Sequence, residues 1–593
     1  MTTKTKSIDP VTMQVVLGAL ESVAVEMGHK FGRMSYSSII RESEDYGCAL
    51  VDIRGQQLCE SSHSTPLQSG PIPGYVKGIR EIMEERGDKF YPGDVILHNS
   101  AYHGASHGPD FGICVPVFRE GRLIGFSVIT AHHLDVGAST PGSSGIIDAV
   151  DAYAEGLQFK AIKLYEKGKE NKFLWNVLKD NIRSSDMVVG DIRAQVATTK
   201  MGAERYLEIV EKYGLDTVKA TAEGLMDYSE KMMRNAISKL PNGTYRAEGL
   251  MDGFLDSSDP QEKDLKIVVS LTVADDDLTV DLTGTSPQLD NRPINMPFIG
   301  TVDIAVYLTL RSILLDSEKF GHFPHNSGLI RPIKIIAPKG SLCNPIFPAP
   351  TIARFVPGNV VADTLMRALA QAIPRQVSAG IGNLKALALS GKREGDYWVY
   401  MDIMEGSYGG RFGKDGMDAV DTLYANTRNN PIEDIESHYP LRVTKYELRN
   451  NACSPGKWRG GIGSIREITF LADGSFSLEG DGNKYEPWGF DGGEDGKVGS
   501  ILISSPNGTN TVLPSKIPNM VVKKGSTIKM KGPCGGGYGN PLERDPEAVY
   551  EDYLDGYVKL EQVLDQYGVV LNDANEINYF KTEEIRDSLS NKQ

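Results

Sequence analysis

The chain has 593 residues, far more than one core of roughly 100 to 200 residues takes up, so several structural units are expected. Its 40% hydrophobic and 24% charged residues and mean hydropathy of -0.27 are those of a globular protein, and no run approaches the roughly 18 consecutive apolar residues of a membrane span. A net charge of -15 without a basic tract argues against nucleic-acid binding, and six scattered cysteines with no C-x-x-C pair argue against a thiolate zinc site or a disulfide framework.

In chain order, the polar N-terminus lacks an apolar segment of signal-peptide type, so the expected location is cytoplasmic. Asp9-Pro10 then supplies an N-cap and first-turn proline ahead of Met13, Val16, Leu17, Leu20, Val23, Ala24 and Met27, spaced for an amphipathic core helix. Residues 44–52 read as a short strand closed by Arg54-Gly55, and strands and turns follow from Pro92 to about Val136. Helical pattern returns from Asn176 to Leu240. Beyond it, Leu265 to Val273 and Leu278 to Leu282 alternate as a hairpin around Asp275–Asp277.

After a helical segment, Val360 to Ile373, the chain becomes rich in glycine and strand pattern, with Asp473-Gly474 expected as a two-residue hairpin turn. In the tail, Val549, Tyr553, Tyr557 and Leu560 share a helical face, and the last charged residues are expected to fray. The expected class is α+β, a mixed α/β chain of several units. These are an N-terminal unit (1–240), a central mixed unit (241–420), a β-rich, glycine-rich unit (421–545) and a helical tail (546–593).

Five of the ten histidines, His98, His103, His107, His132 and His133, fall in one short segment. His107-Gly108-Pro109-Asp110 sets an imidazole and a carboxylate three residues apart across a proline turn. Two strands around Glu120-Gly121 would return His132 alongside them. Because neighbouring strand residues face opposite ways, His132 and His133 are not expected to share an ion, and His132 is favoured. Two imidazoles and a carboxylate suit Zn(II), and also Mn(II) or Fe(II), with a position left for water. His103, His133 and Asp135 would orient ligands or move protons. The same pattern fits histidines that only satisfy hydrogen bonds in a strand-rich core, and spacing does not choose between the two.

No G-x-x-x-x-G-K-[ST] loop occurs, and Cys534 to Gly539 lacks the strand-to-helix setting of a dinucleotide site, so this chain is not expected to bind ATP alone. That glycine cluster suits a tight turn between close backbones. No G-x-S-x-G elbow is present. Arg411, in the glycine-rich turn Glu405–Arg411, could face an anion or simply pack.

The stretches EDYGCALVDIRGQ (44–56), PGDVILHNSAYHGASHGPD (92–110), AHHLDVG (131–137), GSYGGRFGKDGMDAVD (406–421) and GGGYGNPLERDPEAV (535–549), with others between, resemble the B subunit of the hydantoinase and oxoprolinase family. That family is related to the metal-bearing subunits of acetone and acetophenone carboxylases. The resemblance covers nearly the whole chain and implies metal ligation by His107, Asp110 and His132. It also implies a partner A subunit of actin-like ATPase fold that carries ATP and magnesium, in a heterotetramer or larger assembly. The chain departs from the family at Asn99-Ser100-Ala101-Tyr102, where an N-D-P-Y is usual.

The activity implied by the resemblance is ring opening of a lactam, oxoproline or hydantoin: the partner phosphorylates the amide oxygen, and metal-bound hydroxide attacks here. A ketone carboxylase subunit and a non-catalytic structural subunit are the alternatives. Neither nucleic acid nor a membrane is an expected partner.

Overall fold

The computed structural model describes residues 8–143, 145–321 and 323–590. Asp9 accepts a hydrogen bond from Thr12 N and caps the helix Pro10–Met34. One window of this helix matches a membrane span in length and composition, yet Val16, Leu20, Ala24 and Met27 pack into the core.

The first sheet runs β2-β1-β5-β4-β3-β6-β7, built from β1 (Tyr46–Asp52), β2 (Gln57–Glu60), β3 (Val95–His98), β4 (Asp110–Arg119), β5 (Arg122–His132), β6 (Ile162–Glu166) and β7 (Lys169–Glu170). Along β1, Cys48 and Leu50 face Pro10–Met34, while Ala49 and Val51 face the helix Ile72–Arg86. Both faces are therefore covered, and β1 reads as an unbroken apolar run instead of an alternating one. The helix Ser185–Tyr213 lies across β4 and β5, with Ile192 and Val196 against Phe111 and Ile113. It starts within the stretch expected to be helical from Asn176 and follows a shorter helix, Lys172–Asn181.

A second sheet joins Ile333–Ile336, Asp277–Asp281, Lys263–Ala274 and Gly243–Gly253 and packs on the helix Phe355–Ala370. The hairpin expected around residues 275–277 is its central pair.

The expected hairpin at Asp473-Gly474 does not form. Ser464–Phe470 pairs with Leu441–Leu448 and Thr527–Lys531, whereas Gly474–Glu479 pairs with Lys385–Arg393 and Lys516–Val522. The chain changes sheets at this turn, because Ile468 and Phe470 on one side and Phe476 and Leu478 on the other fill one core between the two sheets. Alternation marks a strand but does not choose its neighbour. The same pairing brings residues from both sides of position 420 into a single sheet.

In the tail, Gly556 with φ of 76° ends the helix Pro546–Leu554, so Leu560 belongs to a separate short helix, Leu560–Asp565, and a third runs Tyr579–Ser590. The terminal residues expected to fray lie, from 591 on, outside the described residues. The glycine cluster is a packing device: a Cβ on Gly537 would lie 1.9 Å from Pro455 O, and one on Gly536 2.1 Å from Trp488 O.

Candidate metal centre

β4 and β5 are joined by Glu120-Gly121, whose φ angles of 50° and 73° suit a two-residue turn matched to strand twist. A register shift of one residue between Val117 and Phe118 then sets Asp110 directly opposite His132. Asp110 N donates to His107 O at 3.2 Å, and this turn folds the His107 ring back over the strand end. His107 Nε2 lies 3.1 Å from Asp110 Oδ1, His132 Nδ1 lies 2.8 Å from the same oxygen, and the two nitrogens are 3.3 Å apart. Three ligand atoms about 2.1 Å from one ion at tetrahedral angles lie roughly 3.4 Å from each other, so this spacing is close to one face of a coordination sphere. None of the three side chains is more than 3% exposed.

The surrounding partners set the histidine tautomers. His107 Nδ1 is 2.7 Å from Ile352 O, which can only accept, so Nδ1 carries the proton and Nε2 turns its lone pair to Asp110. Ser143 Oγ donates to His133 O at 2.6 Å, leaving its oxygen to accept from His132 Nε2 at 2.9 Å. The His132 Nδ1 lone pair then faces Asp110 too. Two lone pairs and a carboxylate oxygen this close repel one another unless a cation sits among them. The set of two imidazoles and one carboxylate suits Zn(II), Mn(II) or Fe(II).

Asp110 is the hub. Its Oδ1 accepts from Gln68 Nε2 at 2.9 Å, and its Oδ2 accepts from Arg354 Nη2 at 2.8 Å and from Ser106 Oγ. Burial alone would raise this carboxyl, but His107, His132 and Arg354 together hold it well below the usual carboxylate range. Burial, reinforced by Arg354, pushes the His107 imidazole down to about 4. At neutral pH Asp110 is thus ionised and His107 neutral, the state in which both can ligate.

A second carboxylate sits beside the group. Asp45 O accepts from His132 N at 3.1 Å, and Asp45 Oδ1 is buried with no hydrogen-bond partner. Burial raises its carboxyl to about 6; His132 pulls against that shift, and the negative charge of Asp110 adds to it. An orphaned carboxylate oxygen here is a further reason for a cation.

The other singled-out residues lie outside the trio. The ring of His133 faces Gln195, whose Oε1 is 3.2 Å from His133 Nε2 and whose Nε2 donates to Phe111 O and Ile129 O. Asp135 accepts from Gly137 N, Gly142 N and Arg183 N and pairs with Arg183 Nη1 at 3.2 Å, closing the loop that carries Ser143. His103 is half-buried, with Nδ1 2.8 Å from Ser100 Oγ, on the wall of a cleft it shares with Tyr102 and Ile299. His98 is buried and spans His103 O and Ala161 N. Asn99, which keeps the first position of the N-D-P-Y pattern while Ser100 and Ala101 depart from it, donates to Gly108 O and Leu157 O and accepts from Phe159 N, fixing the turn before Asp110.

Asp45, Gln68, Ser106, Ser143 and Arg354 were not singled out from the sequence. Arg354 had a visible signal, a lone cation between apolar Ile352-Ala353 and Phe355-Val356. Gln68 and Ser143 had none.

Residues 9–541 match the model of the family described as Hydantoinase B/oxoprolinase. The chain belongs to that family. It is 72% identical over 586 residues to a Pseudomonas sp. (strain NS671) protein named as the B subunit of a "Putative D-/L-hydantoinase", spanning 98% of this chain and 99% of that one. It is 28% identical to the caprolactamase beta chain of Pseudomonas jessenii, over 96% of this chain and 98% of the relative. The crystal structure of ATP-dependent caprolactamase from Pseudomonas jessenii superposes with a TM-score of 0.86 at 25% identity, covering 98% of this chain and 100% of that one. A nucleotide-free acetone carboxylase structure shares the fold, with a TM-score of 0.87 at 18% identity over 98% of this chain and 83% of the other.

Proposed function

We propose that this chain is the metal-bearing B subunit of an ATP-dependent cyclic amide hydrolase, with His107, Asp110 and His132 as its metal ligands. The observation that carries the proposal is the convergence of two imidazole lone pairs and an ionised carboxylate at 2.8 to 3.3 Å, in a chain 72% identical to a hydantoinase B subunit relative. A bound divalent ion supplies two things there: a coordinated water with a pKa lowered towards about 7, and a Lewis acid for a carbonyl oxygen.

The chain's own residues do the rest. Arg354, Gln68 and Ser106 fix the Asp110 carboxylate, and Ser143 and Ile352 fix the two rings. His133 and Asp135 hold the ligand strand and its following loop. Half-exposed on a cleft, His103 is the member of the segment placed to exchange protons with solvent. With the ligands sealed from water, a substrate reaches them when covering backbone moves. Glu155 accepts from Ile352 N at 2.6 Å and from Thr351 N, which holds the stretch that carries the His107 partner Ile352 O.

Amide resonance makes a lactam or hydantoin a poor electrophile. Phosphorylation of its oxygen by an ATP-binding partner subunit removes that protection and creates a leaving group, so ATP use has a chemical reason. The partner is an A-type subunit in a hetero-oligomer, at least a heterotetramer. Purifying both chains together and assaying lactams, hydantoins and oxoproline tests this. Ring opening requires both chains, ATP and metal, and assembled His107→Ala complex loses the metal and activity by at least about a hundredfold. Full activity in metal-free His107→Ala complex refutes it, and strict bicarbonate dependence would assign a carboxylase instead.

A further inference from the structure

Arg411 opens a tight turn in which Arg411 N and Lys414 N each donate to the other residue's carbonyl at 3.0 Å and Gly413 takes φ of 85°. The turn holds Arg411, Phe412 and Lys414 exposed. Ala379 N donates to Gly410 O at 2.8 Å, which brings the 374–376 turn alongside, and the Arg375 guanidinium lies 4.7 Å from the Phe412 ring centre. Across from this turn stand the end of the helix Asp303–Leu314 and residues 315–319, and between them is a cleft of about 900 Å3.

Six Lys and Arg side chains line the cleft, together with the carboxylates Asp316 and Glu318. Arg311 is already paired with Glu60 at 3.1 Å, and Asp316 is committed to Glu318 N and to Lys319 at 3.5 Å. Arg375, Arg411 and Lys414 have no ion-pair partner among the described residues. In a chain of net charge -15, six lining cations against the carboxylates Asp316 and Glu318, and Glu60 behind Arg311, leave a local positive potential that the cleft wall focuses. The volume falls within the range of roughly 300 to 1,000 Å3 usual for small-molecule sites. Two guanidiniums and an ammonium match the oxygens of a phosphoryl group, and Phe412 and Phe323 offer it an apolar neighbour.

We propose that this cleft binds a phosphate-bearing organic small molecule, its phosphoryl oxygens held by Arg375, Arg411 and Lys414. If the hydrolase proposal holds, the phosphorylated amide is such a molecule; only that identity rests on it.

The test is calorimetric titration of the full chain, with EDTA present, using phenyl phosphate and inorganic phosphate at constant ionic strength. Wild type binds both, phenyl phosphate more tightly, and the R375Q/R411Q/K414Q variant, its fold checked by circular dichroism, binds each at least about tenfold more weakly. Equal affinity for the two anions would overturn the organic half of the proposal. Unchanged affinity in the triple variant, or no binding by wild type at about 20 mM, a range of very weak affinity, overturns it entirely. Loss of subunit assembly with unchanged phosphate binding would show a protein interface and also overturn it. Neither the partner chain nor the metal enters the titration, so its failure leaves the hydrolase proposal standing.

Discussion

Asp110 joins two systems, the convergent histidines and the buried Arg354, and Asp110→Asn separates their energetics. The substitution keeps volume and removes charge. Arg354 is 1% exposed and its Nη2 is 2.8 Å from Asp110 Oδ2. Unit charges about 4 Å apart at an effective dielectric near 20 interact by about 4 kcal/mol. Removing one partner of a buried pair leaves the other charge uncompensated, at about 3 to 5 kcal/mol. Metal-free Asp110→Asn protein is therefore expected to lose about 3 to 5 kcal/mol in urea unfolding, and Arg354→Met alone a similar amount. The double variant should fall short of their sum by about 3 kcal/mol, because each change removes the other's penalty. In parallel, the Asn variant should retain less than about a tenth of wild-type metal after dialysis, since a neutral amide is a poor third ligand. Additive losses with coupling under about 1 kcal/mol would show that the pair is not coupled as drawn. Full metal retention would remove Asp110 from the ligand set.

Ser143→Ala removes the acceptor that fixes the His132 ring and should weaken metal affinity by about 10- to 100-fold in a chelator competition, leaving the fold intact. Burial alone would raise the Glu60 carboxyl, but Arg311 and His325 outweigh that and hold it at about 2. With the folded pKa below the unfolded one, its stabilisation is present above about pH 4.5 and is lost as pH falls through about 2. The shift corresponds to about 3 kcal/mol, and Glu60→Gln should flatten the acid limb of the urea midpoint plotted against pH. Gly537→Ala would drive a methyl group to 1.9 Å from Pro455 O and should cost about 3 kcal/mol, read as a lowered melting temperature.

Much of the local structure was legible because its causes are local. Asp9-Pro10 stops a helix in one direction only, and Glu120-Gly121 supplies the two positive φ angles a tight hairpin needs. Given that hairpin, a count of residues from the turn sets Ala131 opposite Asp110, and it is the register shift between Val117 and Phe118 that puts His132 there instead. The Asp473-Gly474 turn shows the limit, because it carries the same kind of signal and yet links strands of different sheets. Whether two strands on either side of a turn pair depends on which side chains must share a core, and Phe470 and Phe476 meet across two sheets. The tail misled for a related reason: Val549 to Leu560 keeps a helical spacing through Gly556, but that glycine takes a left-handed conformation and redirects the chain.

By itself, then, the sequence determined the elements, the family stretches and the three convergent residues His107, Asp110 and His132, all of which lie within 26 positions of one another. The tertiary structure alone decided what those residues meet. Arg354 and Ile352 arrive from more than 240 positions away, Gln68 and Asp45 come from the preceding segments, and Ser143 comes from a loop pinned by Arg183. These contacts set the charge of Asp110 and the tautomers of both histidines. No spacing rule reaches them, because they depend on which distant backbone closes over the end of the hairpin and excludes water from it.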